Sequence, residues 1–432
     1  MKPLLFVLLS VFIFEPCLGQ ETRPQASPPS ANDASDRFEE LVKRYKALQE
    51  RFFALSSSGE DVDGLSRFLK HHPMNTMVDD FLKLEQESRG TKVGFSCLYH
   101  LVLAGASVGE PGYPVSKGKI AALEILGRHY HDYPNIDTIL NYLFSGARIP
   151  EAEAFTRKLI DSTGLEYVRV NALFELAKHL ALEANLPAMC QSQLDVLDQT
   201  DPKNDARVEH LKKLLVELNS VDIAANRTEA SSIIQQIRRD HADELVPPRV
   251  GVRPPGIIEV ERGERDEVLK TTRSLVVDRL SAVQFELNHS IGQLTPPIDG
   301  DDATGKPMSL DDFRGKVVVV MFSFKGCGPC EEMYPDNRRL IDELSDEAFA
   351  FVGVQGDETI DTVHESLQSG TITWRVWWEG KEKQISNRWN VLGWPSTYVL
   401  DQRGIVRFRN LRGQELATAV RSLLPQDQHS NL

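Results

Sequence analysis

The chain has 432 residues, 41% of them hydrophobic and 26% charged, with a net charge of −14 at pH 7. That length is too great for a single core, so two or three domains are expected. The acidic balance, without any basic stripe interleaved with aromatics, excludes nucleic acid or an anionic membrane as the main partner.

Lys2 precedes an apolar run from Leu4 to Phe14, which Glu15 and Pro16 interrupt. The run is shorter than the roughly 20 residues needed to span a bilayer, and it suits the core of a signal peptide. Residues 1–20 are therefore expected to be a signal peptide, with cleavage near Gly19 or Gln20 that removes Cys17. Glu15-Pro16 is a poor context for a lipid anchor on Cys17, and a buried N-terminal helix is the other reading. The expected localisation is export to the periplasm or cell envelope of a bacterium. Residues 21–36, rich in Pro, Ser and Ala, read as a flexible leader.

Residues 37–245 read as an all-α region. Phe38, Leu41, Val42, Tyr45, Leu48 and Phe52 form an apolar stripe at helical spacing. Helices are expected over 78–87, 93–104, 119–129, 136–143, 150–160, 168–182 and 205–218. His72-Pro73, Tyr133-Pro134, Ile149-Pro150 and Asp201-Pro202 punctuate them. Short helices joined by polar turns suggest stacked α-hairpins, like a degenerate tetratricopeptide array, although no fixed period repeats. Such a region would bind a protein partner, set assembly or act as a spacer. His71, His72, His129 and His131 match no metal-site spacing. Cys97 and Cys190 sit amid apolar neighbours and read as buried thiols; export would also permit a bridge between them.

Four prolines and mixed charges mark residues 246–266 as a linker. Residues 267–289 read as a connecting helix. From residue 290 to 432, strand and helix signals alternate. A hairpin-like stretch over 291–313 leads into the β-branched strand Lys316 to Phe324, and a helix over 331–344 follows. The pattern continues with a strand at 349–354, a helix at 360–368, a strand at 373–378 and a helix at 384–389. A hairpin across Asp401-Gln402-Arg403-Gly404 and a closing helix over 415–424 complete it. The expectation is an α/β sheet with helices on both faces.

Between strand and helix stands Cys327-Gly328-Pro329-Cys330. Side chains three apart on a helix are neighbours, within reach of disulfide geometry, whose Cα separations are roughly 4.4–6.8 Å. The first cysteine faces the unpaired N–H groups of a helix start, which favour its thiolate. Pro329 costs nothing there, because first-turn N–H groups have no intrahelical partner. A zinc site needs about four ligands, and Cys17, Cys97 and Cys190 are remote in sequence, so no metal is expected. A purely structural bridge would close too little chain to stabilise much. Redox exchange is the expected chemistry.

The succession of hairpin, GKVVVVMFSF, CGPC, MYP and WNVLGWPSTYVLDQRGIV resembles the exported thioredoxin-fold thiol–disulfide oxidoreductases of the TlpA/ResA type, over about the last third of the chain. The resemblance implies a multidomain protein, an all-α N-terminal region followed by an α/β thioredoxin-like C-terminal domain. It implies that Cys327 attacks a substrate disulfide and that Cys330 resolves the mixed disulfide, with Gly328, Pro329 and Lys325 in the active-site loop. Pro395 would be the family's cis-proline, leaving the backbone of Trp394 free to pair with an extended substrate. Pro335 would be the helix-kinking proline. No cofactor is implied beyond the redox-active Cys327–Cys330 disulfide.

The partners implied are disulfide-containing envelope proteins and a membrane thiol electron donor, and reduction is favoured over oxidation. The chain departs from the pattern at Met321 and Met333, where acids are usual, and at Gly326, where Trp is usual. Lys325 would favour the thiolate or simply be a solvated lysine. A second reading is a helical partner-binding scaffold whose redox domain senses rather than turns over. A thiol peroxidase would need a Thr-x-x-Cys context, which does not precede Cys327.

Overall fold

The computed structural model describes residues 34–56, 70–104, 113–144, 149–247, 258–264 and 267–425. The expected signal peptide, almost all of the leader and part of the expected linker lie outside these residues. Among the described residues, no helix is long and apolar enough to cross a membrane. The chain divides into two compact units. One runs to Leu176 and takes up Arg239–Val276, and the other comprises Ala177–Arg238 and Val277–Leu432.

The first unit is helical, with α1 (Ala34–Ser56), α2 (Val78–Glu87), α3 (Lys92–Ala104), α4 (Pro114–His129), α5 (Asp137–Leu143), α6 (Pro150–Ser162) and the start of α7 (Glu166–Glu183). Pro114 and Pro150 each open a helix at a first-turn position, where the missing N–H is not needed. Successive helices pack on one another around Phe81, Leu98, Leu101, Leu126 and Leu159. Gly118 permits the approach of α4 to α2, because a Cβ there would lie 2.9 Å from Val78 Cγ1.

Residues expected as linker and connecting helix instead include strands. β1 (Leu245–Val246), β2 (Ile258–Glu264) and β3 (Glu267–Leu275) form an antiparallel sheet in the order β1-β3-β2. Glu264 pairs with Glu267 across a two-residue connection. Only Ile258 and Val260 alternate with charged residues in β2, too short a pattern to outweigh the prolines just before it. The expected helix from Glu267 begins only at Val276, as α11 (Val276–Asn288).

The second unit joins the end of α7, α8 (Leu186–Leu194), α9 (Asp205–Leu218) and α10 (Ile223–Asp240) to α11 and the C-terminal domain. Packing thus assigns residues 177–238 to the C-terminal unit rather than to a helical domain ending at residue 245. A buried polar network holds them there. Asn185 Nδ2 donates to the Glu286 carbonyl (2.7 Å), and its Oδ1 accepts from Ser290 Oγ (2.7 Å) and Arg227 Nη2 (2.6 Å). Glu286 in turn accepts from Asn390 Nδ2 (3.0 Å) and pairs with Arg409 (3.1 Å).

After a short hairpin, β4 (Asp299–Asp301) with β5 (Pro307–Ser309), come β6 (Val317–Ser323), α12 (Gly328–Glu331), α13 (Tyr334–Glu343), β7 (Phe349–Gln355), α14 (Ile360–Gln368), β8 (Arg375–Trp378), α15 (Gln384–Arg388), β9 (Ser396–Leu400), β10 (Val406–Arg409) and α16 (Gly413–Leu423). The sheet order is β10-β9-β6-β7-β8. β6 and β8 run parallel to β7, whereas β9 is antiparallel to β6 and β10. Every residue of the central strand β6 is buried. Val317, Val319 and Met321 enter one core, and Val318, Val320 and Phe322 the other. Such two-sided burial produces the unbroken apolar run seen in the sequence.

The turn between β4 and β5 carries a titratable lock. Asp302 Oδ1 accepts from the Thr304 and Lys306 amides (2.9 and 3.1 Å) and from Thr304 Oγ1 (2.7 Å), and Oδ2 pairs with Arg375 (2.7 Å). Burial alone would raise this carboxyl, but those bonds more than offset it and hold it well below the usual range. A depressed pKa contributes stability above the unfolded value, lost as pH falls through the folded one. Asp302→Asn is therefore expected to lower stability at pH 7 by about 1–3 kcal/mol, with the deficit shrinking below about pH 4. Urea titrations at pH 7 and pH 3.5 measure both values, and equal deficits at the two would contradict the account.

Candidate active site

β6 delivers the chain to the carboxyl end of the sheet, and the loop Phe324–Gly326 turns it into α12. Gly326 adopts φ +85°, a conformation that L side chains rarely take. Cys327 is the N-cap of α12, and its carbonyl accepts from the amides of Cys330 (2.9 Å) and Glu331 (3.0 Å). Cys327 and Cys330 form a disulfide with a Cα–Cα distance of 5.2 Å. Cys327 is 5% exposed and Cys330 is fully buried.

The helix expected over 331–344 is interrupted. α12 ends at Glu331 and α13 starts at Tyr334, with Pro335 in its first turn. A proline at position 335 cannot donate its missing N–H to the carbonyl four residues earlier, so a continuous helix breaks there. Glu332 and Met333 keep right-handed helical dihedrals across the break, so the chain bends there without leaving the helical path.

The sequence-derived site residues come together in this unit. Gly328 and Pro329 form the exposed turn between the cysteines. The Trp394-Pro395 peptide bond is cis, and Pro395 is buried at the start of β9. The Trp394 ring packs edge-on against Phe324 (5.7 Å between centroids), and Lys383 Nζ lies 4.1 Å from its centroid. Lys325 does not direct its ammonium to the cysteine. Its Nζ pairs with Glu365 (2.8 Å), and this hydrogen bond raises the ammonium's pKa. Met321, where thioredoxins carry an acid, is fully buried and its sulfur accepts from Asn337 Nδ2 (3.3 Å).

Two residues that sequence reasoning passed over stand beside the loop. Asp357, just beyond β7, is 7% exposed, and its Oδ1 accepts the Lys325 amide (2.9 Å). With the Gln355 amide oxygen facing Ser323 Oγ (2.8 Å), the Gln355 nitrogen donates to Asp357 Oδ2 (3.1 Å). Burial pushes the Asp357 carboxyl up, and its hydrogen bonds offset only part of that rise. Trp378, exposed at the end of β8, donates its indole N–H to the Asp357 carbonyl (2.8 Å). No local motif marks Asp357; only the pairing of Ser323 with Gln355 across β6 and β7 brings it to the loop. Cys97 and Cys190 are both buried free thiols, and burial pushes the Cys97 thiol up to about 12.

Residues 291–409 match the AhpC/TSA family. The chain is 28% identical to the thioredoxin-like protein YneN of Bacillus subtilis over 119 residues, 27% of this chain and 68% of that protein. It is 26% identical to the thiol-disulfide oxidoreductase ResA of Bacillus thuringiensis over 125 residues, 29% of this chain and 71% of that protein. The C-terminal domain is a thioredoxin-like thiol–disulfide oxidoreductase domain. Among solved structures, the thioredoxin domain of a thiol-disulfide oxidoreductase from Bacteroides vulgatus is 26% identical to it, covering 32% of this chain and 99% of that one with a TM-score of 0.30. The thioredoxin-like domain and the helical N-terminal region together make the multidomain architecture expected from the sequence. The family match, at residues 291–409, lies in the last third of the chain.

Proposed function

We propose that this chain is an exported thiol–disulfide oxidoreductase that reduces disulfides of envelope proteins. The observation that carries the reading is the Cys327–Cys330 disulfide at the carboxyl end of the central strand. Cys327 is the nucleophile, since it is the cysteine with residual exposure. In the reduced protein its thiolate attacks a substrate disulfide, forming a mixed disulfide and releasing one substrate thiolate. Cys330 then attacks the Cys327 sulfur, which releases the second substrate thiol and restores the intramolecular disulfide. Two electrons pass to the substrate, and a membrane thiol carrier returns them. Trp394, Pro395, Phe324 and Lys383 form the surface on which an extended substrate segment lies. The apolar run near the N-terminus supports export, and the helical region is the surface offered to a protein partner.

The test is a Cys330→Ser variant expressed in a bacterial envelope, followed by acid quenching and mass spectrometry of covalent adducts. Adducts joined through Cys327 to envelope proteins, cleaved by dithiothreitol, are the expected result. A variant that accumulates no adduct, while wild type fails to reduce insulin, would overturn the exchange reading. Partners that survive loss of both cysteines and vanish on deletion of residues 37–176 would instead favour a scaffold.

A further inference from the structure

Thiolate chemistry in this domain lacks acids at positions 321 and 333, where methionines are buried. Two other carboxylates reach the loop instead. The Gly326 amide donates to Glu331 Oε1 (2.8 Å), and the Lys325 amide donates to Asp357 Oδ1 (2.9 Å). These are the two consecutive backbone donors that precede Cys327. Glu331 reaches back from the residue after Cys330, and Asp357 reaches in from the end of β7.

We propose that Glu331 and Asp357 form a carboxylate clamp that positions Cys327 and, by placing negative charge beside it, biases the pair toward donating electrons. The proposal rests on the reductase reading above and supplies a structural cause for its direction. Both are positioning residues: each acts on the nucleophile through the backbone of the residues before it. A backbone N–H bonded to a carboxylate is a strong, charge-assisted contact, so the loop has one register. Those same N–H groups are thereby withdrawn from any thiolate at Cys327.

The electrostatics point the same way. The cation on this loop, Lys325, is held by Glu365, and Lys383 lies over Trp394. Glu332 is exposed in the same turn as Glu331, Glu379 accepts from Ser386, and His364 is bonded to the Ala303 carbonyl. A disfavoured thiolate destabilises the dithiol form relative to the disulfide. Reduction of the pair by a dithiol breaks one S–S bond, takes up two electrons and two protons, and converts the reductant to its disulfide. Anything that disfavours the thiolate above its pKa makes that reduction harder and the pair a better reductant.

The experiment compares wild type with Glu331→Gln, Glu331→Ala and Asp357→Asn in the full chain. Reduction potentials are read in graded glutathione and dithiothreitol buffers, and the Cys327 thiol pKa from the pH dependence of alkylation. Each amide retains an acceptor oxygen for the loop N–H while removing the charge. Glu331→Gln and Asp357→Asn are each expected to lower the thiol pKa and to shift the equilibrium constant toward the dithiol by about threefold to tenfold, a tenfold change being about 30 mV. Glu331→Ala adds faster hydrogen exchange at the Gly326 amide.

Glu331 is exposed, so its variants fold even if Asp357→Asn does not. Unchanged pKa and potential in Glu331→Gln would overturn the clamp, as would faster amide exchange in Glu331→Ala without any shift in the pKa. A wild-type pair that exchanges with neither buffer would sink the redox reading itself, a separate outcome.

Discussion

Cys327→Ser is expected to reduce insulin-disulfide turnover by at least about a thousandfold, to the level set by buffer thiols. In nucleophilic catalysis the acting groups work as a unit, so deleting the attacking atom removes nearly the whole rate enhancement. The hydroxyl that replaces the thiol does not ionise near neutral pH and cannot form the mixed disulfide. Cys330 is fully buried, so it does not take over the attack. Because the bridge closes only a short loop, its loss leaves the fold intact. Far-ultraviolet circular dichroism should match wild type. Turnover within tenfold of wild type would assign the nucleophile elsewhere.

Glu286→Ala should cost the C-terminal unit about 3–5 kcal/mol, the range for breaking a buried ion pair from one side. Glu286 is 4% exposed and binds Arg409, whose guanidinium also lies against the rings of Phe285 (5.4 Å) and Tyr398 (5.2 Å). Removing the carboxylate strands that cation, and it also removes the Asn390–Glu286 hydrogen bond. Glu286→Gln keeps an acceptor and should cost less. Tryptophan fluorescence during urea unfolding reads this unit alone, since all 5 tryptophans lie between Trp374 and Trp394. A shift below about 1 kcal/mol would show that the pair contributes little beyond its desolvation cost.

The residues differ in how much they disclosed in advance. β6 was legible because a central strand buried on both faces must be apolar at every position. The cysteines were legible because their chemistry depends on a spacing of three, a local property. The break between α12 and α13 is readable in part, since Pro335 marks a kink while the residues on either side of it continue as helix. β2 and β3 are hidden in the sequence because the prolines before them signal a linker, and only Ile258 and Val260 alternate with charged residues. Asp357 was illegible for another reason: its role depends on a strand pairing that places it beside a loop 32 positions earlier in the chain. The attachment of residues 177–238 was equally hidden. It runs through contacts such as Asn185 to Glu286, 101 residues apart, and Arg207 to Glu415, 208 apart.

Those separations bear on how the molecule is made. A ribosome or a secretion channel delivers the chain from its N-terminus, so α8 and α9 can close their own cluster around Leu194 and Leu211 before the sheet of their unit exists. Asn185, Arg227 and Arg207 must wait in water until α11, β10 and α16 arrive. The ring-closing entropy of such distant contacts must be met before they stabilise anything. The first helical unit faces the same delay on a smaller scale, because Arg239–Val276 returns to it late. Neither unit is a continuous bead on the string. Assembly of the C-terminal unit therefore waits for β10 and α16, and release at residue 290 would leave the Glu286 carboxylate without Arg409 and Arg207 without Glu415.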